Sequence, residues 1–343
     1  MAAREAIRSE EEGWTGILLP DSQNLAAELI VEMTMCAART EQILISPGVT
    51  NSVTRHPAVL AGAMATLQAE TGGRAVMEIG RGDSALAHLG FAGMKVAPFC
   101  RYITALQTYL SGGEVDFDPS FVPAGQPSIS ELGLGQEPEA SSLRWLRPSQ
   151  KKVPVGIAAT GPRMIQMGAT LGDGVSFSVG ADPGRIGSAV DIARKARVDA
   201  GLDPDTLRMA AFINVAVHDD IDRAAAITAG KLASFSRFSV MNGTVTGVGA
   251  GADTAVLEKL HGNYDMVAHG RTDAQHVETL TREFAERNAV IGSPAQCLER
   301  LKTLRDLGIT RFFFTEDFSR EGASGEAHDN LVRHVLPVVN SWS

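Results

Sequence analysis

The chain has 343 residues, a net charge of −9 and an isoelectric point near 5.4, with 44% hydrophobic and 21% charged residues. This composition is typical of a globular protein, and the acidic balance argues against nucleic-acid binding, which needs a basic surface. No apolar run approaches the ~20 residues that cross a bilayer, and the charged start MAAREAIRSEEEGW is unlike a signal peptide, so we expect no membrane association.

Strand and helix signals alternate along the chain. The strands are predicted over residues 16–20, 42–46, 75–79, 153–159, 174–179, 207–217 and 311–315. The helices are predicted over residues 3–13, 26–39, 57–70, 94–110, 162–171, 183–200, from 220 onward, 294–307 and 330–340. Two stretches interrupt the alternation, and we interpret them as insertions over about 114–150 and 239–289.

This alternation predicts an α/β fold with a parallel sheet, as in a (β/α)8 TIM barrel that forms one domain over residues 1–343. Seven strands are visible where a closed barrel has eight, and by this count the first strand is missing or replaced by another segment. An open doubly wound sheet accepts seven strands and remains an alternative, as do two smaller domains.

Polar residues follow two early strands at the carboxyl ends where parallel α/β folds bind ligands. After residues 42–46, Gly48 permits close backbone approach, and Thr50 and Asn51 can bond a heterocycle or their own turn. After residues 75–79, Asp83 is a candidate proton-handling carboxylate. The alternative is that Asp83 or Ser84 only caps the following helix.

Two later strand ends are typical of an anion site. Thr160-Gly161-Pro162-Arg163 opens a helix whose free N–H groups and dipole favour phosphate, and Ser178-Val179-Gly180 can complete the same cradle. The alternative is a helix cap that binds nothing. Asp21 follows the first visible strand and either faces the pocket or caps the next helix.

His56 is a candidate acid or base, although its place before Pro57 also suits a helix cap. The eight histidines and three cysteines have no metal-binding spacing, and no G-x-S-x-G elbow occurs, so we predict neither metal nor serine chemistry. The odd cysteine count without C-x-x-C favours a reducing, cytoplasmic location.

Three motifs resemble those of the luciferase-like flavin and deazaflavin oxidoreductases, most of all the F420-dependent methylenetetrahydromethanopterin reductase branch. They are GVTNSVTRHPAV, GGRAVMEIGRGDSALAHLG and AATGPRMIQMGATLGDGV. The resemblance implies a homodimeric TIM barrel, a non-proline cis peptide at Gly48-Val49, a carboxylate at Asp83 near the reacting ring, and phosphate binding by residues 160–163 and 178–180. The cofactor-binding set is then Asp21, Gly48, Val49, Thr50, Asn51, Gly82, Asp83, Ser84, Ala159, Thr160, Gly161, Pro162, Arg163, Ser178, Val179 and Gly180, with Asp83 and His56 as catalytic candidates.

These features predict a hydride-transferring oxidoreductase that uses coenzyme F420 and a small organic substrate, with the protein placing the ring. One alternative is a monooxygenase of the same fold that uses reduced FMN and needs a separate flavin reductase. Another is a non-catalytic flavin- or deazaflavin-binding protein. Ser22 follows Asp21 where related sugar-phosphate dehydrogenases have histidine, which argues against that reaction.

Overall fold

The computed structural model describes residues 2–241, 243–245, 251–317 and 319–342. Two compact units can be distinguished: unit 1 comprises Met1–Glu10 and Gly16–Val155, and unit 2 comprises Glu11–Thr15 and Gly156–Ser343. The prediction of a single barrel domain with two insertions stays a prediction.

The strands alternate with helices as the sequence predicts. The strands are β1 (Gly16–Leu19), β2 (Leu44–Pro47), β3 (Thr50–Asn51), β4 (Met77–Gly80), β5 (Val155–Ala159), β6 (Gly174–Phe177), β7 (Arg208–Val217), β8 (Val290–Gly292) and β9 (Arg311–Thr315). The helices are α1 (Ala2–Glu11), α2 (Leu29–Ala37), α3 (Pro57–Glu70), α4 (Ser84–Ala87), α5 (Val96–Leu110), α6 (Pro162–Leu171), α7 (Pro183–Asp199), α8 (Ile221–Ser236), α9 (Thr254–Asn263), α10 (Arg282–Asn288), α11 (Pro294–Asp306), α12 (Gly322–Asn330) and α13 (Leu336–Asn340).

Every named strand pair is parallel. In unit 1, β1 pairs with β2, and β3 pairs with β4 so that Thr50 lies opposite Ile79 and Asn51 opposite Gly80. In unit 2, β6 pairs with β5 and with β7, while β7 also pairs with β9 and, through its last three residues, with β8. Parallel pairing brings the carboxyl ends of neighbouring strands to one edge of each sheet.

All seven predicted strands are confirmed, and two short ones were missed. The two residues of β3 and the three of β8 are too few to show an alternating pattern. The helix predicted over residues 26–39 is shorter, because the N–H groups of Leu25 and Ala26 donate to the carbonyl of Ser22 in a turn before α2. The closing helix starts earlier than predicted, at Gly322.

The two predicted insertions differ in structure. Residues 114–150 contain two short 3₁₀ segments, Pro119–Phe121 and Ile129–Leu132, and are mostly exposed. The predicted helical character of residues 239–289 is confirmed by α9 and α10, whereas residues 242 and 246–250 of its glycine-rich start lie outside the described residues.

The core of unit 1 lies between its strands and the inner faces of α3 and α5. Ile45, Met77 and Ile79 on the strands are fully buried, as are Leu60 on α3 and Phe99 on α5. None of the helices in the described ranges combines the length and apolar character that a membrane span requires.

Candidate functional site

In unit 1 the loops that follow β1, β3 and β4 contact one another through polar side chains. The Ser22 and Ser84 hydroxyl oxygens lie 3.2 Å apart. The side-chain amide of Asn24 donates to the carbonyl of His88 over 3.2 Å. The structure therefore brings together three of the strand ends that the sequence singled out.

Asp21 is the hub of this cluster and is only 2% exposed. Its Oδ2 accepts hydrogen bonds from Thr50 Oγ1 and from Arg55 Nη1, both over 2.7 Å, and its Oδ1 accepts from Gln23 Nε2 over 2.8 Å. Arg55 also forms an ion pair with Glu28. Because three protein donors occupy its carboxylate, Asp21 positions Thr50 and Arg55, and the alternative that it caps α2 is wrong: Glu28 occupies that position.

The side-chain oxygen of Asn51 accepts hydrogen bonds, whereas its side-chain nitrogen has no partner. Its Oδ1 accepts from the backbone N–H groups of Val53 and Thr54, over 2.9 and 3.0 Å, which fixes the turn after β3. Its Nδ2 is buried and has no hydrogen-bond partner. A buried hydrogen-bond donor without a partner costs ~1–3 kcal/mol of stability. An acceptor on a bound ligand would recover this cost.

The peptide bond between Gly48 and Val49 is cis, as the resemblance implied. A side chain at Gly48 would place its Cβ only 2.6 Å from Cβ of Leu18. Only glycine therefore fits between β2 and β1 at this position.

The loop after β4 packs closely on itself. Gly82 has a φ of +86°, and its carbonyl lies 2.3 Å from where a Cβ on Gly93 would be. Asp83 stands at the N-cap of α4, but its side chain makes no capping hydrogen bond; its backbone carbonyl instead accepts from Leu86 and Ala87. The alternative that the side chain of Asp83 caps this helix is therefore wrong.

His56 is the N-cap of α3, as the structural alternative predicted. Its Nδ1 accepts from the N–H of Ala58 over 3.1 Å, and its ring packs edge-on against Phe121. Burial lowers the pKa of His56, so the neutral ring that this cap requires is favoured. The capping contact uses one ring nitrogen and weakens the case for His56 as a catalytic group.

In unit 2 the ends of β5 and β6 meet at the start of α6. The N–H of Ser178 donates to the carbonyl of Ala159 over 2.9 Å. Gly161 is the N-cap of α6, with Pro162 in the first turn and no side chain capping the helix. Arg163 is exposed. The predicted phosphate residues thus lie together at a helix N-terminus, with Arg163 on the solvent side.

A crevice of about 10 Å³, with room for about one water molecule, lies beside this helix start, and one of the residues that line it was not singled out from the sequence. Its lining includes Thr160, Pro162, Val179 and Arg185. Arg185 is 4% exposed and comes from the first turn of α7. The sequence offered one indication of this residue, its position three residues after the N-cap Asp182. That indication was too weak to predict burial, because a single arginine in a helix forms no periodic pattern.

The family model for luciferase-like monooxygenases matches residues 2–311. The 5,10-methylenetetrahydromethanopterin reductase of Methanolobus tindarius is 25% identical over 319 residues, which cover 90% of this chain and 88% of that protein. The coenzyme F420 dependent tetrahydromethanopterin reductase from Methanopyrus kandleri superposes with a TM-score of 0.73 at 20% identity, covering 98% of this chain and 95% of the other. The FMN complex of the oxygenating constituent of 3,6-diketocamphane monooxygenase from Pseudomonas putida has a TM-score of 0.63 at 15% identity, covering 98% and 92%.

The parallel α/β fold matches that of luciferase-like TIM-barrel proteins. The chain belongs to the luciferase-like monooxygenase family, and the resemblance carried by the three sequence motifs is confirmed.

Proposed function

We propose that this protein is an oxidoreductase that transfers hydride between coenzyme F420 and a small organic substrate. Family membership supports the reaction class, and the similarity to the coenzyme F420 dependent reductase from Methanopyrus kandleri supports the deazaflavin. When bound, the reduced deazaflavin supplies the hydride. The chain's own residues therefore need to bind and orient the cofactor and the substrate, and to transfer a proton.

The observation that carries the proposal is the unpaired donor of Asn51. Its Nδ2 is buried at the end of β3, opposite the end of β4. Flavin and deazaflavin rings have carbonyl oxygens on their pyrimidine edge, which are acceptors for this donor. We propose that Asn51 binds that edge, while Gly48 and Gly82 let the backbone approach the ring.

Asp83 is the proposed proton-handling group, and it lies in the same loop as Ser84, which contacts Ser22. A carboxylate half-exposed at a loop can exchange a proton with the substrate when hydride arrives or leaves. For unit 2 by itself, we propose that the predicted phosphate residues bind a phosphate group at the start of α6.

The second candidate is a monooxygenase that uses reduced FMN delivered by a separate flavin reductase. Its support is the fold shared with an FMN complex. The two candidates differ in their need for oxygen, which gives a direct test.

The test is anaerobic transfer of deuterium from deuterated reduced F420 to candidate carbonyl, imine and alkene substrates, followed by mass spectrometry of the product. We expect deuterium in the product and no requirement for oxygen. Product that forms only with reduced FMN and oxygen, and that contains an oxygen atom from O₂, would replace the proposal with the monooxygenase.

A further inference from the structure

Arg81 is a half-buried cation in unit 1, directly after β4 and two residues before Asp83. Its guanidinium makes one hydrogen bond, from Nη1 to the carbonyl of Met94 over 2.9 Å. In the described part of the chain no carboxylate forms an ion pair with it, and its Nε and Nη2 donate to no protein acceptor. An arginine side chain has five N–H donors, so most of this fork is available to a ligand.

Other arginines of unit 1 have their donors satisfied by the protein. Arg55 forms ion pairs with Asp21 and Glu28. Arg74 donates four hydrogen bonds to oxygen atoms of residues 37–43. The guanidinium after β4 has a single carbonyl in place of such a set, although it stands at the strand end where this fold binds its ligands.

The pKa values of two arginines show the same contrast. Burial lowers the pKa of Arg81, and no neighbouring carboxylate offsets that effect. Burial alone would also lower the pKa of Arg55, but Glu28 and Asp21 outweigh burial and raise it. A cation that has lost part of its hydration without gaining a counterion is costly, and a bound anion would remove that cost.

The loop contacts hold the guanidinium of Arg81 in place. The N–H of Met94 donates to the carbonyl of Arg81 over 2.8 Å, so the two residues are joined by two hydrogen bonds. Ser52 Oγ donates to the sulfur of Met94 over 3.2 Å, which ties this loop to the turn after β3. Because Met94 occupies Nη1, the edge formed by Nε and Nη2 remains, and two parallel donors match the two oxygens of a carboxylate.

We propose that Arg81 binds a carboxylate of the substrate through its Nε and Nη2 edge, so that the substrate is an organic acid. The inference rests on the proposed function and names the substrate class of the same site. The Cα atoms of Arg81 and Asp83 can lie no more than about 7 Å apart, which places the carboxylate near the proposed proton-handling group. The fork also fits phosphate oxygens, but one cation balances a single negative charge and leaves the second charge of a phosphomonoester uncompensated.

The test compares three ligands that each carry one methyl group: acetate, acetamide and methyl phosphate. Thermal unfolding of the full chain reports binding, because a ligand that binds the folded state raises the midpoint as its concentration increases. The measurements are made at pH 8, and sodium chloride keeps the ionic strength constant. We expect a saturable rise with acetate, no comparable rise with acetamide, and a smaller rise with methyl phosphate, which is then doubly charged.

Two variants and a control locate the effect. Arg81→Gln should weaken acetate binding by about tenfold to a hundredfold, as expected for the loss of a charged hydrogen-bonded contact. Arg81→Lys should keep part of the affinity, because the charge remains without the fork. Arg101→Gln is the control, since Arg101 also belongs to unit 1 but is exposed and lies 4.0 Å from Asp118. Circular dichroism and the midpoint without ligand show that each variant is folded.

Three results would each overturn the inference. One is an equal rise with acetate and acetamide in the wild type. Another is a larger rise with methyl phosphate than with acetate. The third is unchanged acetate binding in folded Arg81→Gln.

Failure of the proposed function would look different. It would appear as no binding of F420 in a fluorescence titration, while acetate still raises the midpoint of the wild type and not that of Arg81→Gln. If both proposals hold, Arg81→Gln should bind F420 within about threefold of the wild type. A loss of F420 affinity of about tenfold or more in Arg81→Gln would assign the guanidinium to the cofactor and overturn the inference.

Discussion

Replacing Asn51 with aspartate separates two roles of one side chain. The turn after β3 needs only the acceptor Oδ1, which bonds the N–H groups of Val53 and Thr54, and aspartate supplies the same acceptor. The proposed ring contact needs the donor Nδ2, which aspartate lacks. Asn51→Asp therefore keeps the turn and removes the donor.

The expected loss can be worked from this geometry. One hydrogen bond between neutral groups contributes ~0.5–1.5 kcal/mol, and a carboxylate oxygen facing a ring carbonyl adds repulsion of similar size. We therefore expect Asn51→Asp to weaken F420 binding by about tenfold to a hundredfold. The assay is fluorescence titration with oxidised F420, beside circular dichroism and thermal unfolding of each variant.

Thr54→Val is the matched control. It removes the 3.2 Å hydrogen bond from Thr54 Oγ1 to Asn51 Oδ1 and leaves Nδ2 untouched. We expect its affinity to stay within about threefold of the wild type, a difference below ~0.7 kcal/mol. Wild-type affinity in a folded Asn51→Asp variant would refute the role of the donor, as would an equal loss in both variants.

Three further changes test other parts of the account. Asp83→Asn should leave F420 affinity within about twofold and slow turnover by about 10²–10⁴, the usual contribution of proton transfer. Gly48→Ala should lower the free energy of unfolding by ~1–3 kcal/mol, because its Cβ would overlap a neighbouring strand, and thermal unfolding measures this. His328 is buried between two carboxylates, with Nε2 3.1 Å from Glu12 and Nδ1 2.8 Å from Glu316. Burial alone would lower its pKa, but these hydrogen bonds outweigh burial and raise the pKa of His328, so its stabilising contribution is complete below pH ~6.5 and is lost as pH rises through the raised value.

Each of these changes has its own control. Unchanged turnover in Asp83→Asn would remove that carboxylate from the mechanism. Gly62→Ala should leave the free energy of unfolding unchanged or raise it. Gly62 lies within α3, and the Cβ of an alanine there would meet only a side-chain carbon at 3.9 Å. For the histidine, Glu12→Gln should flatten the loss of stability as the pH rises above ~6.5, while the exposed His334→Gln should not. Equal slopes in all three proteins would contradict the assignment to His328.

The strand and helix pattern was predictable because it rests on local signals. The helix from Pro57 to Glu70 begins and ends where the sequence placed it, because proline suits the first turn and Gly72, with a φ of +64°, follows the end. Strands β3 and β8 were not predictable from the sequence. A strand of two or three residues is too short to show an alternating hydrophobic pattern, and it forms through pairing with neighbouring strands.

The candidate site was predictable in its loops and not in its contacts. The polar residues after β1, β3 and β4 were found from their place at strand ends. The carboxylate of Asp21 accepts hydrogen bonds from Thr50, Arg55 and Gln23. These contacts were not predictable, because they join residues up to 34 positions apart in the sequence. Arg185 was missed for the same reason, because only the folded chain shows that it is buried beside neutral acceptors.

The central claim is that this chain binds a deazaflavin in preference to a flavin. The most direct measurement is a titration of the purified protein with oxidised F420 and, separately, with FMN, followed by fluorescence quenching. The account predicts saturable F420 binding that is at least about tenfold tighter than FMN binding. Tighter binding of FMN, or binding of neither cofactor by the folded protein, would contradict it.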